Sequence, residues 1–153
     1  MIYAILLAIL IYYYIHMNET DRKKIIEKVS QFDYYILLHT LRYNLDPDWV
    51  KAIICVESQG NPEAENPNDP SYGLMQLTPI AVQDIGEDPE DPLWKKDPDV
   101  NIEYGCRYLS LLFTRYGAQS YEETIQWYNA GPHNESKEYL EKVRSFYEEI
   151  RSS

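Results

Sequence analysis

The chain is 153 residues long, room for one domain and a short extra segment. It carries 25 acidic against 14 basic residues, a net charge of −11, and no basic cluster interleaved with aromatics, which excludes a nucleic-acid-binding surface. A hydrophobic content of 44% suits a packed core, and fifteen tyrosines against three phenylalanines supply apolar faces with a polar handle, suited to sugar stacking or to half-buried helix surfaces.

Ile2 to Ile15 contains only Ile, Leu, Ala and Tyr. Residues 1–17 form an uncharged run at the lower edge of a membrane span, with Tyr12, Tyr13 and Tyr14 suited to a membrane interface. A cleaved signal segment is the competing reading. The missing basic start and the missing Ala-x-Ala pattern before Asn18 favour an uncleaved anchor. Arg22, Lys23 and Lys24 follow, and positive residues tend to stay inside, which opposes export of what comes after.

Residues 18–44 read as a helical lead-in. Ile25, Val29, Phe32 and Ile36 mark one face of a helix over Asp21 to Tyr43, and Asn44 suits its stop. In the next helix Asp46 suits the N-cap, Pro47 the first helical position and Gly60 the stop. Val50, Ile53 and Ile54 form its apolar stripe, and Glu57 falls on the same stripe. A carboxylate facing inward is costly unless it is paired or protonated. Desolvation raises its pKa, and the negative end of the helix dipole pushes the same way. A carboxyl kept protonated near neutral pH is what a general acid needs. The alternative is a core-edge Glu that caps a loop.

A loop bearing Pro62, Pro67 and Pro70 runs to Gly73. Thr78-Pro79 opens a short helix ending near Gly86, and Glu87 to Asp99 reads as loop. Asn101 to Tyr116 is expected to be a helix, with Ile102, Leu109, Leu112 and Phe113 inward. Ser120 and Glu123 form a capping box for a helix running to Asn129 and stopped by Gly131-Pro132. Ser136 to Arg151 closes the chain as a helix. No strand alternation is present, so the expected fold is mainly α. Cys55 and Cys106 do not make a disulfide framework, and a bridge in an oxidising compartment or two buried thiols both stay open. His16, His39 and His133 lack ligand spacing, so no metal and no cofactor is expected.

Four blocks stand out in order: Glu57-Ser58 with Asn61-Pro62, Gly73-Leu74-Met75-Gln76, the segment Asn101 to Leu109, and Tyr128-Asn129-Ala130-Gly131. This arrangement resembles the catalytic domain of soluble-type (SLT) lytic transglycosylases, lysozyme-like enzymes that cut the glycan strands of peptidoglycan. The resemblance covers roughly Leu45 to Ile150 and implies a lysozyme-like helical catalytic domain over residues 45–151. In that family one glutamate, here Glu57, protonates the glycosidic oxygen between N-acetylmuramic acid and N-acetylglucosamine. It then takes a proton from the muramic C6 hydroxyl, leaving a 1,6-anhydromuramic end.

The same resemblance makes Ser71, Gly73, Met75, Gln76, Tyr128, Asn129 and Tyr139 the candidate substrate-binding residues, with Gly73 permitting close approach, Met75 offering an apolar contact and Gln76 a donor and an acceptor. It also implies that the helices carrying Cys55 and Cys106 pack together. Trp127 stands where the family usually has a small residue, either reshaping the groove or filling the core. A goose-type muramidase would use Asp69 beside Glu57 to hold a water, although Asn68-Asp69-Pro70 is also ordinary turn chemistry. A non-catalytic glycan-binding or scaffold protein is the third reading. The implied location is the cell envelope, on the periplasmic or extracytoplasmic face. The implied partners are glycan strands, a membrane through residues 1–17, and a secretion, conjugation, pilus or phage machine.

Overall fold

A computed structural model describes residues 18–153, and the expected membrane segment at 1–17 lies outside the described residues. Among the described residues no helix is long and apolar enough to cross a membrane. The elements in order are α1 (18–30), α2 (Asp33–Tyr43), α3 (Pro47–Glu57), β1 (Glu65–Asn66), β2 (Ser71–Tyr72), α4 (Pro79–Asp84), α5 (Leu93–Lys96), α6 (Pro98–Thr114), α7 (Tyr121–Ala130) and α8 (Lys137–Ser152).

Three of these helices start the same way. The side chains of Asp46, Thr78 and Asp97 accept from Asp48 N, Ala81 N and Val100 N, and in each case a proline follows at the first helical position. The cap satisfies an orphan amide, and the proline has none to satisfy. Ser120 caps α7 through Glu123 N, as the capping box predicts.

Local structure departs from the sequence reading in three places. The helix expected over Asp21 to Tyr43 is broken at 31–32, where Phe32 N bonds Val29 O in a tighter turn. Lys51 of α3 reaches into the break, with its Nζ 2.8 Å from both Ser30 Oγ and Asp33 Oδ1. A small antiparallel hairpin pairs Glu65 with Tyr72 and Asn66 with Ser71, in strands too short to show alternation. The Asp- and Pro-rich stretch after Glu87 holds the single turn α5, anchored by the fully buried Trp94, and α6 begins at Pro98 rather than Asn101.

α3 is the central helix, with Val50, Ala52, Ile53, Ile54 and Cys55 buried. It packs on α8 and α2. α6 in turn meets α2, α4, α5 and α7, and α7 meets α8. Trp49 near the start of α3 stacks on Tyr147, with ring centroids 3.8 Å apart and planes 8° from parallel. Tyr139 Oη lies 2.5 Å from Glu57 Oε1 at the other end. Residues eight apart on α3 therefore meet residues eight apart on α8 in reverse order, so the two helices run antiparallel.

The loop between β2 and α4 is held by one side chain of α6. Asn101 is 0% exposed, and its Oδ1 accepts from Met75 N at 2.8 Å. Its Nδ2 donates to Tyr72 O at 3.0 Å and Trp94 O at 2.6 Å. Gly73 lies against it at φ +76°, where a Cβ would come within 2.4 Å of Asn101 Nδ2. Gly105, one turn further along α6, leaves the space that Met75 fills. A Cβ there would sit 2.2 Å from Met75 Sδ.

Asn101→Ala should leave the Trp94 carbonyl and the Met75 amide without partners, Tyr72 O keeping its bond from Leu77 N, and cost about 2–4 kcal/mol of stability in urea unfolding. Gly105→Ala should destabilise by about 1–2 kcal/mol, since overpacking outweighs the roughly 1 kcal/mol gain in helix propensity. In a double-mutant cycle, shortening Met75 to Ala should offset part of that loss.

Candidate active site

α3 ends at Glu57, so the half-buried carboxyl group sits at the negative end of the helix dipole. Burial pushes its pKa up from the ordinary 4.5 to about 7, and the hydrogen bond donated by Tyr139 partly opposes that shift. Tyr139 is itself buried, and burial and the neighbouring Glu57 charge both raise its pKa well above the ordinary phenol range. It therefore stays a protonated donor. Tyr128 on α7 is the second phenol beside this carboxyl, and burial followed by the Glu57 charge raises its pKa in the same way. Its Oη donates to Met75 O at 2.6 Å, tying α7 to the loop that Asn101 holds from below.

The remaining predicted residues fall into two groups. Ser71 Oγ donates to Gln76 Oε1 at 2.9 Å, while Gln76 Nε2 donates to Ala64 O and Gly73 O, both at 3.0 Å. The Gln76 carboxamide is thus a brace across the hairpin, and its backbone is held at φ 48°. Gln76, Tyr128 and Asn129 line one hollow of about 210 Å³, together with Leu77, Thr78, Tyr108 and Pro132. Asn129 is exposed, and its Nδ2 donates to Ser136 Oγ at 2.7 Å.

Met75 lies apart from that group. Its side chain is 0% exposed, packed on Gly105 in the core, and it reaches the site only through its carbonyl oxygen. Gly73 faces Asn101 and Lys95 O, so its lack of a Cβ serves packing within the protein. Asp69 is exposed in the turn joining β1 and β2. Trp127 is half-buried and packs its ring on His133, 4.5 Å away between centroids. Cys55 and Cys106 are both free and buried.

Two residues of the site were not singled out from sequence. Tyr108 lines the hollow with its ring 5.7 Å from that of Tyr128, and burial lifts its hydroxyl to about 12. Asn101 organises the loop without touching the hollow. Both lie in the third sequence block, so the signal was present at the level of the segment but not of the side chain.

The arrangement has the parts of a proton-transfer site. It offers one carboxyl poised near neutral pH, a phenol fixing its orientation, and an adjoining hollow walled by an amide, aromatics and aliphatic groups.

Comparison with known proteins supports a family assignment. A family profile described as transglycosylase SLT domain matches residues 34–149, beginning within α2. The membrane-bound lytic murein transglycosylase E of Buchnera aphidicola subsp. Baizongia pistaciae is 34% identical, over 50% of this chain and 39% of that protein. The endo-type membrane-bound lytic murein transglycosylase A of Klebsiella pneumoniae is 37% identical, over 46% of this chain and 37% of that protein. The chain thus spans well under half the length of these relatives. Among solved structures, an inactive mutant of the lytic transglycosylase Slt from Pseudomonas aeruginosa shares the fold. Its TM-score is 0.55 at 21% identity, covering 76% of this chain and 22% of that one. With the profile covering most of the described residues and the fold in agreement, the chain belongs to the transglycosylase SLT domain family.

Proposed function

We propose that the chain is a peptidoglycan lytic transglycosylase in which Glu57 is the single acid and base. The observation that carries this reading is the Glu57 carboxyl, held by Tyr139 at 2.5 Å and raised by burial to a pKa of about 7. At that pKa a substantial fraction is protonated at neutral pH, and the conjugate carboxylate is basic enough to recover a proton. The acid proton passes to the glycosidic oxygen between N-acetylmuramic acid and N-acetylglucosamine as the bond to the muramic C1 breaks. The muramic C6 hydroxyl oxygen bonds to C1 and gives its proton to the Glu57 carboxylate. The enzyme returns to its starting state, no water is consumed, and the product ends in a 1,6-anhydro ring.

One carboxyl suffices for this sequence, whereas hydrolysis by the two-carboxylate route needs a second, correctly placed group. Asp69, the carboxylate that route would call on, lies exposed in the hairpin turn. Asn129, Tyr108 and Tyr128 offer an amide and ring faces suited to sugar. With a net charge of −11, affinity for an anionic wall polymer has to come from such contacts. The place of action is the cell envelope, on its extracytoplasmic face, where the substrate lies. The names of the relatives, both membrane-bound murein transglycosylases, fit that placement.

Glu57→Gln should abolish release of soluble fragments from purified peptidoglycan. Mass spectrometry of wild-type products should show fragments one water lighter than those of a muramidase, and reducing ends instead would transfer the assignment to a hydrolase. Because the folded protein holds the Glu57 proton more tightly than the unfolded chain, this residue lowers stability as pH rises from about 4.5 through 7. The shift from 4.5 to about 7 corresponds to roughly 3 kcal/mol as an upper limit. Glu57→Gln should therefore raise the melting temperature above pH 7 and leave it unchanged below pH 4. Tyr139→Phe removes the bond that lowers the Glu57 pKa. The alkaline limb of kcat/KM against pH should move upward from about 7, at reduced maximal rate.

A further inference from the structure

α2 buries one face and carries apolar side chains on the other. Its inner face places Ile36, His39 and Thr40 in the interior. Its outer face carries Tyr34, Leu37, Leu38 and Leu41, at the i, i+3, i+4 and i+7 spacing of one helical row, and these are 71%, 57%, 45% and 85% exposed. Four large apolar side chains in one contiguous row differ from the scattered hydrophobics of an ordinary surface. The two charged side chains of α2 are turned to protein partners: Asp33 lies 2.8 Å from Lys51, and Arg42 lies 3.1 Å from Glu103. Nothing charged on α2 therefore interrupts the row.

The chemistry of the chain favours one occupant. The row covers on the order of a few hundred Å², below the roughly 800 Å² per partner of a stable protein interface, which argues against a second copy. The first seventeen residues are uncharged and largely aliphatic, so the chain carries a second apolar stretch close by in sequence. α1 separates the two with thirteen residues, about 20 Å of helix. A bilayer engaged by residues 1–17 lies within one short helix of the turn that opens α2. Tyr34 at one end of the row is an aromatic side chain that suits a headgroup layer, with the leucines beyond it.

We infer that the outer face of α2 docks on a lipid bilayer, with Leu37, Leu38 and Leu41 immersed at the boundary between headgroups and acyl chains. The docking does not depend on the reaction assigned to Glu57. Because the chain is strongly acidic, the attraction is apolar rather than electrostatic. Neutral vesicles should therefore bind at least as well as anionic ones.

The test uses the full chain with vesicles of phosphatidylcholine, alone or mixed with phosphatidylglycerol. A nitroxide label is placed by Leu41→Cys and, as a control on α8, by Lys142→Cys; the two native cysteines are buried. On vesicles the label at position 41 should lose access to an aqueous nickel reagent and gain access to dissolved oxygen, while the label at 142 stays aqueous. A Leu37→Gln/Leu41→Gln double variant should melt as wild type but bind phosphatidylcholine vesicles about tenfold more weakly. The inference is overturned if the chain binds no vesicles, or if it binds while position 41 stays aqueous, which would leave residues 1–17 as the sole contact. It is also overturned if position 41 is already shielded without lipid. Dependence of that shielding on protein concentration would then identify a second copy, and independence would identify a segment of the same chain.

Discussion

The antiparallel contact of α3 with α8 is the constraint on which the site depends. At one end Trp49 stacks on Tyr147, with the ring of Tyr121 further off, and Asp46 is held from α7 and α8. Its backbone N–H donates to Tyr121 Oη at 2.6 Å, and its Oδ2 accepts from Tyr147 Oη at 3.3 Å. At the other end Tyr139 meets Glu57. The stack fixes the register, and the register places a phenol on the carboxyl about 12 Å further along the helix. If α8 slid by one residue, the helical rotation of 100° would carry Tyr139 off the Glu57 face. The aromatic end of the pair therefore acts as a positioning device for the reactive end.

The tyrosine excess has a common structural use. Tyr43 Oη donates to Glu103 at 3.2 Å, Tyr104 to Glu87 at 3.3 Å and Tyr116 to Asp84 at 2.7 Å, in addition to the Tyr139–Glu57 and Tyr147–Asp46 pairs. Arg42, Arg107 and Arg115 share the first three of these carboxylates. With 25 acidic and only 14 basic residues, phenol hydroxyls add donors beside the arginines at three of these carboxylates and stand in place of a cation at Glu57. A neutral donor satisfies a carboxylate without neutralising it. That distinction matters at Glu57, where a cation would hold the pKa down and a phenol lowers it only in part.

Short-range features were legible in the sequence and long-range ones largely were not. The Asp46-Pro47, Thr78-Pro79 and Ser120 starts are decided within four residues, and each forms as its residue types dictate. Glu57 on the inward stripe followed from helical period alone. The partner 82 residues away on α8 was reached only through resemblance, because nothing local to Tyr139 points at a carboxyl. The same distance hid the break at 31–32, which forms around Lys51 of another helix. Met75 read as a groove contact, yet it fills the gap left by Gly105, and a space made by a missing Cβ thirty positions away leaves no trace in its own neighbourhood. Gln76 read as a free donor and acceptor for sugar, and closure of the hairpin commits its amide nitrogen to Ala64 and Gly73.

The two thiols set how the fold responds to its surroundings. Cys55 lies two residues before Glu57 and Cys106 sits on α6. Both are buried and free, and burial pushes each to about 12. At such values the thiolate, the species that attacks disulfides and oxidants, is scarce at any physiological pH. The core packs with both thiols free and offers little thiolate for an oxidant to attack. An oxidant that reaches the core therefore meets two protonated thiols rather than a ready nucleophile two residues from Glu57.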